Sequence, residues 1–320
     1  MKKLFLMLVA AAAVASCSKD YTIVADQGEA IAFNSFVENS TRATDPSYGG
    51  AQGQVALTQF KLWGAVKDSN GTPVAIYADD TVTGTVGTNI VDGKETKVWN
   101  CTTKTQYWIT DAKYNFAALV NAGTVTLGND LLPATVEFAA DGSTDLLYAR
   151  SEEDIVGKAS NNAPVNFNFA HLLSKVYIGV TNSSADATGY SFLVKNIKIN
   201  APKTDGKYYI QDVVENSETI TAGTWKATAD NYTFDNISVT GATAECNAEQ
   251  LLIPGAAVVS FDVDIICNGA TITTKSYSHD VTLQAGNAYR FNIITSIGEL
   301  IQFSVTQQPT WTDVNGGNLN

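Results

Sequence analysis

Histidine and methionine are nearly absent from this chain, which has two of each: His171 and His279, Met1 and Met7. A Ser-His-Asp, Cys-His or zinc centre must draw on one of those two imidazoles. His171 sits in the strand-like run Phe169-Ala170-His171-Leu172-Leu173 with no nucleophile elbow beside it, so a packed, structural role is expected for both histidines. No CxxC pair, HExxH, Walker loop or GxGxxG following a strand occurs. Positive charge is also short: Lys and Arg number 20 against 32 Asp and Glu, a net charge of −12. Without a basic stripe to displace counterions from phosphates, nucleic acid is not an expected partner. Charged residues make up 16%, below the usual ~25%, while 45% are hydrophobic, enough for a real core and too many for a disordered chain.

Long apolar runs are missing beyond the amino terminus, so no later stretch could cross a bilayer as a helix. The one run, residues 4–14, follows Lys2 and Lys3 and ends in small residues before a cysteine, which reads as a secretory signal over 1–16. Val14-Ala15-Ser16-Cys17 fits the bacterial lipobox, in which cleavage leaves Cys17 to be acylated. Each buried methylene of the acyl chains then contributes about 0.8 kcal/mol of hold on a membrane lipid. An ordinary signal peptide with an incidental cysteine is the competing reading. Either way both methionines leave with the signal, which excludes a Met-lined groove. Three cysteines remain; Cys246 and Cys267 could pair across neighbouring strands, or all three, with Cys101, could be buried thiols.

What is present is strand signal. Apolar residues alternate at Val259, Phe261, Val263 and Ile265, at Tyr289, Phe291 and Ile293, and at Ile301, Phe303 and Val305. Turn pairs such as Asn70-Gly71, Asp92-Gly93, Asp141-Gly142, Asp205-Gly206 and Asn268-Gly269 separate the runs. Helical periodicity is confined to one short candidate, 151–160. The pattern predicts an all-β protein of two sandwiches, with a seam where Asn161-Asn162-Ala163-Pro164 precedes the strand opening at Val165. The expected layout is a polar tether and a strand-like segment in 17–42, an amino-terminal sandwich in 43–165 and a second in 166–320. The polar stretch 38–46 reads as an exposed, cleavable loop.

Chemistry is hard to find. Asp79, Asp80, Glu152, Glu153, Asp154, Asp262 and Asp264 supply carboxylates, but spacing shows no facing pair of the kind a glycosidase needs. Asp262 and Asp264 read as the solvated face of a strand. The stretch 141–145 lacks the remaining positions of a calcium loop and reads as a plain turn. Of five tryptophans, Trp63 and Trp108 sit in strand contexts where burial is the default, whereas Trp99, Trp225 and Trp311 have polar neighbours and could present a sugar-stacking face. No catalysis and no cofactor is expected.

Several segments together resemble the fimbrillin family, the Mfa-like and FimA-like fimbrial subunits of Bacteroidetes. They are Ile31-Ala32-Phe33 followed by Ser40-Thr41-Arg42-Ala43-Thr44, then Phe60-Lys61-Leu62-Trp63, Tyr107-Trp108 with Tyr114-Asn115-Phe116-Ala117-Ala118, and Asp145-Leu146-Leu147-Tyr148-Ala149. In the second half come residues 165–176, Leu251-Leu252-Ile253-Pro254, Gly286-Asn287-Ala288-Tyr289 and a terminal strand ending near Trp311. Leu283 and Asn121 stand where the family pattern often has a tryptophan and prolines. The resemblance implies two tandem Greek-key, transthyretin-like sandwiches. It also implies a subunit exported as an outer-membrane lipoprotein through Cys17, trimmed between Arg42 and Ala43, and joined to other fimbrial subunits by strand exchange. Ile31, Phe33 and Phe36 would form the removable strand, and Ile301, Phe303 and Val305 the donor strand. A host or glycan receptor is a possible further partner. The alternative is a surface lipoprotein that binds glycans through exposed aromatics for a nutrient-uptake system.

Overall fold

The computed structural model describes residues 28–37, 57–91, 94–184, 189–240, 245–246, 249–297 and 301–308. The signal segment, Cys17, Arg42, Ala43, Asp92, Gly93 and Trp311 lie outside them. Among the described residues there is no helix, and none is long and apolar enough to cross a membrane.

The first ten strands are β1 (Phe33–Val37), β2 (Gln59–Lys67), β3 (Pro73–Val91), β4 (Lys94–Cys101), β5 (Lys113–Val120), β6 (Val125–Leu127), β7 (Pro133–Phe138), β8 (Leu147–Arg150), β9 (Ile155–Val156) and β10 (Val165–His171). One sheet runs β2-β3-β4-β1-β10-β8-β5, and β5 pairs back onto β2, so the ladder closes on itself, with β9 beside β5. Its interior is aromatic, with Phe33, Phe60, Tyr77, Trp99, Phe116, Phe167 and Phe169 all buried.

The remaining strands are β11 (Ser174–Asn182), β12 (Tyr190–Tyr209), β13 (Val213–Glu215), β14 (Glu218–Ile220), β15 (Thr224–Thr233), β16 (Ile237–Val239), β17 (Glu245–Cys246), β18 (Gln250–Leu252), β19 (Gly255–Cys267), β20 (Ala270–Leu283), β21 (Ala288–Thr295) and β22 (Gln302–Gln308). Apart from β13 and β14, which pair with each other, they form a sheet β17-β11-β21-β22, with β18 also on β11, and join β7 and β6 in a larger one, β20-β19-β12-β7-β6, with β15 and β16 on β12. Val176, Ile178, Phe291 and Ile293 from the first meet Phe192, Ile199, Val259 and Phe261 from the second in one core. The alternation read from the sequence points these side chains inward because successive residues of a strand face opposite sides.

Three local readings differ from the sequence. The strand from Val165, expected to open the second sandwich, packs Val165, Phe167 and Phe169 into the first core, while β6 and β7 cross over to the second sheet system. The segment 151–160 is a turn and the short β9: Asp154 has φ of +54°, which no helix accepts, and its carboxylate is held by Lys67, Lys113 and Asn115. Asp205-Gly206 is no turn but a bulge inside β12, where Asp205 has φ of +52° and Gly206 lies so near Phe138 that a Cβ would meet its carbonyl oxygen at 2.5 Å. Asn268-Gly269 does close the β19–β20 hairpin, with both residues at positive φ.

Strands β2 and β5 explain their near-continuous apolar runs. Leu62, Phe116 and Ala118 face the first core, and Trp63, Ala117 and Leu119 pack against the second.

Candidate functional site

The amino-terminal segment enters the first sheet as a stave between strands that follow it by scores of residues. The Trp108 amide donates to the Glu29 carbonyl at 3.0 Å and the Ile31 amide to the Gln106 carbonyl at 2.9 Å. Past Phe33, which faces Trp99 of β4, the strand runs parallel to β10 over five residues, Phe33 opposite Val165 through Val37 opposite Phe169. Ile31 and Phe33 are buried, at 7% and 3% exposure. The Phe33 ring stacks on Phe167 at 6.0 Å and meets Tyr77 and Phe116 edge-on at 5.8 and 6.0 Å. Phe36, expected to join them, sits opposite Asn168 on the parity of Asn34, so Ile31 and Phe33 are the inward pair; the Phe36 side chain lies outside the described residues.

On the outer face the Asn34 amide donates to the Asn166 side-chain oxygen at 3.1 Å. The Glu29 carboxylate accepts from the Asn162 backbone and side-chain amides at 2.7 and 3.2 Å. Among the described residues the β4 flank is paired only at Phe33, and beside it opens a cavity of about 290 Å³ bounded by Ile31, Phe33, Tyr77, Trp99, Cys101 and Lys104. Burial pushes the Tyr77 hydroxyl up, keeping it neutral. Asp80 nearby resists its own burial: bonds from Thr103, the Ala78 amide and Lys104 outweigh desolvation and hold its carboxyl below the usual range. Tyr107-Trp108 and Asn162 stand out in the sequence only as a strand segment and a seam residue; nothing there marks them, or Glu29, as partners of the amino-terminal segment.

The second predicted strand, β22, forms an edge of the smaller sheet of the second core, antiparallel to β21. From the residue before it onward the core-side positions are covered progressively less: Ile301 is 8% exposed, Phe303 half-buried and Val305 42% exposed. Phe303 lies flat on His279, ring centres 4.1 Å apart, and touches Phe261 and Phe291. Within one chain β1 and β22 thus belong to different cores.

The remaining candidates are occupied by structure. His171 donates through Nδ1–H to Asp145 at 2.5 Å, both side chains sealed in the interior. Asp264, read as solvated, is buried and holds Lys195 and Thr274 at 2.6 Å each; Asp262 holds Ser276 and Asn196. These bonds hold both carboxyls below their usual range. Asp141 caps its own turn through the Ser143 and Thr144 amides and the Thr144 hydroxyl. Among the described residues no group of three or more His, Cys, Asp or Glu could hold a metal ion. Cys267 is a free thiol on β19, while Cys246, whose side chain lies outside the described residues, is on β17 in the other sheet, so the two do not pair. Trp99 is buried with Trp63 and Trp108. Trp225 is half-buried, its indole N–H donating to the Leu172 carbonyl at 3.2 Å and its ring against Tyr208 and Phe138. The sugar-stacking face expected of Trp99 and Trp225 is therefore spent on packing.

A family profile described as fimbrillin-like matches residues 41–309. Among solved structures, the chain resembles a fimbrial protein from Bacteroides vulgatus at 15% identity, with a TM-score of 0.57, 89% of this chain and 100% of that one being covered. It also resembles a putative cell adhesion protein from Bacteroides ovatus at 13% identity and a TM-score of 0.51, covering 89% of this chain and 99% of that one. At these identities the likeness is one of fold. No curated protein matches the chain.

Proposed function

Because the chain belongs to the fimbrillin-like family, we propose that it is a fimbrial subunit at the cell surface, made as an outer-membrane lipoprotein and polymerised by strand exchange. The family is structural and non-enzymatic. In this reading Cys17 carries the acyl chains and cleavage between Arg42 and Ala43 frees the body from lipid. Segment 29–37 then leaves its slot, and β22 of a neighbouring subunit fills it.

The observation that carries the reading is the position of β1: a short strand wedged between β4 and β10, both of which follow the cut in sequence. Ile31 and Phe33 contribute about 1.5–3 kcal/mol each while seated, so an uncut chain keeps its plug by tethering. Once severed, the plug dissociates at a rate set by those few contacts. The vacated slot exposes backbone donors of β10 and an aromatic trough, a template for another strand. Donor and acceptor are different surfaces in different cores, so the contact is head-to-tail and propagates.

Arg42→Ala in the full chain tests this. The variant is expected to fold, stay with the membrane fraction and remain monomeric after protease treatment that converts the wild type to filaments. Normal filaments from the variant would refute the cut as the trigger.

A further inference from the structure

The plug and the terminal strand share a hexapeptide. Residues 28–33 read Gly-Glu-Ala-Ile-Ala-Phe, and residues 298–303 read Gly-Glu-Leu-Ile-Gln-Phe. Four positions are identical, and the slot explains which four.

At position 28 a Cβ would lie 2.8 Å from the Trp108 carbonyl oxygen and 3.0 Å from the Tyr107 Cβ, so the slot takes glycine there. The carboxylate at position 29 receives the two Asn162 amides. Positions 31 and 33 are the buried inward pair. The two mismatches, Ala30 against Leu300 and Ala32 against Gln302, fall where the plug is exposed and side-chain identity matters least. Within these six positions each one the slot constrains is kept and each exposed one without a partner varies; the next inward position, Ser35, corresponds to Val305.

We propose that the terminal segment is a replica of the plug, and that residues 298–305 of a second copy occupy the slot in the register that lays Gly298 on Gly28, Glu299 on Glu29, Ile301 on Ile31 and Phe303 on Phe33. This rests on the strand-exchange reading and adds to it a register, a direction and a partner, another copy of this same chain. The donor runs parallel to β10, as the plug does. Val305 takes the place of Ser35, and Ser304 that of Asn34, opposite Asn166. In its own sheet Phe303 is only half-buried; in the Phe33 position it is enclosed by Tyr77, Phe116 and Phe167. Better enclosure favours the exchanged state over the self-docked one.

Disulfide trapping in the full chain tests the register. Asn34→Cys with Asn166→Cys should link within the uncut monomer and so calibrate the slot. Ser304→Cys with Asn166→Cys should, after cleavage, give a ladder of copies whose linked peptides, identified by mass spectrometry, join 304 of one to 166 of the next. Moving the donor cysteine to Gln302→Cys or Thr306→Cys displaces it about 6.8 Å along the strand, out of bridging range, and should abolish the ladder. A ladder from either shifted pair, in place of 304, overturns the register while leaving strand exchange intact. Filaments with no link from any of the three pairs overturn the terminal segment as occupant. A cleaved wild-type chain that forms no filament at all overturns the assembly reading itself.

Discussion

At Phe33 three rings, Phe167, Tyr77 and Phe116, converge on one side chain of a segment that also buries Ile31. Truncating it leaves a cavity where the surrounding rings, fixed on three different strands, cannot collapse. Phe33→Ala is expected to lower the stability of the full chain by about 3–5 kcal/mol, read as a shift in denaturant midpoint. A shift below roughly 1 kcal/mol would mean that the plug is not seated as described. Carboxylates set the acid limit. Thr144 and the neighbouring amides outweigh the burial of Asp141 and bring it from 3.8 to about 2; Lys67 and Asn115 chiefly do the same for Asp154. Both values are lower folded than unfolded, so both groups stabilise the fold above pH ~4 and release that contribution as pH falls toward 2. Acid titration of Asp141→Asn should therefore show a flatter loss of stability between pH 4 and 2 than the wild type. Single residues of this kind were partly legible in the sequence. That His171 is structural followed from its apolar neighbours, but its partner Asp145 is 26 residues away, and only the fold brings them together.

Strands were the most legible elements, because a period of two survives without knowledge of what each face meets. Their partners were less so. The run from Val165 announced a strand but not its core, since alternation looks the same in either sheet; what decides is the parallel ladder with β1, a pairing across 132 residues. The apolar run at β2 likewise concealed that Trp63 and Leu62 serve different cores. Asp205-Gly206 carried a turn signature and became a bulge because β12 continues through it on both neighbours. For β22, the fading burial from Ile301 to Val305 lets its place in its own sheet be tested apart from the proposed donor role. Phe303→Asp removes a half-buried ring from an edge strand, where the new carboxylate can reach water, so the full chain should still fold cooperatively. In the slot of a neighbour the same carboxylate would be enclosed among three aromatic rings, and polymerisation should cease. Thermal unfolding and electron microscopy of one preparation read both effects. A variant that unfolds outright, or one that polymerises normally, contradicts this division.

On the scale of the whole molecule, the proposed donor and acceptor strands lie in separate cores, so each can be disabled without touching the other. An Arg42→Ala copy keeps its plug, and so cannot accept, yet still carries an intact terminal strand. A cleaved Phe303→Asp copy can accept but cannot donate. If subunits join by the proposed strand exchange, a growing filament presents one open slot at one end and one unplaced donor strand at the other. Arg42→Ala copies can enter only the open slot and there end growth; Phe303→Asp copies can be entered only by the free donor and end growth at the opposite pole. Mixed into cleaved wild type at about one copy in ten, each should shorten filaments to a mean of roughly ten subunits if growth proceeds from the end it caps, since each addition then carries that chance of being the last. Together at that dose they should leave short rods closed at both ends, which fresh wild-type subunits cannot extend. Growth from a single pole would make one terminator effective and the other inert, and labelling the terminator would then identify the pole. Filaments whose length ignores both variants would mean that subunits associate through a surface other than these two strands.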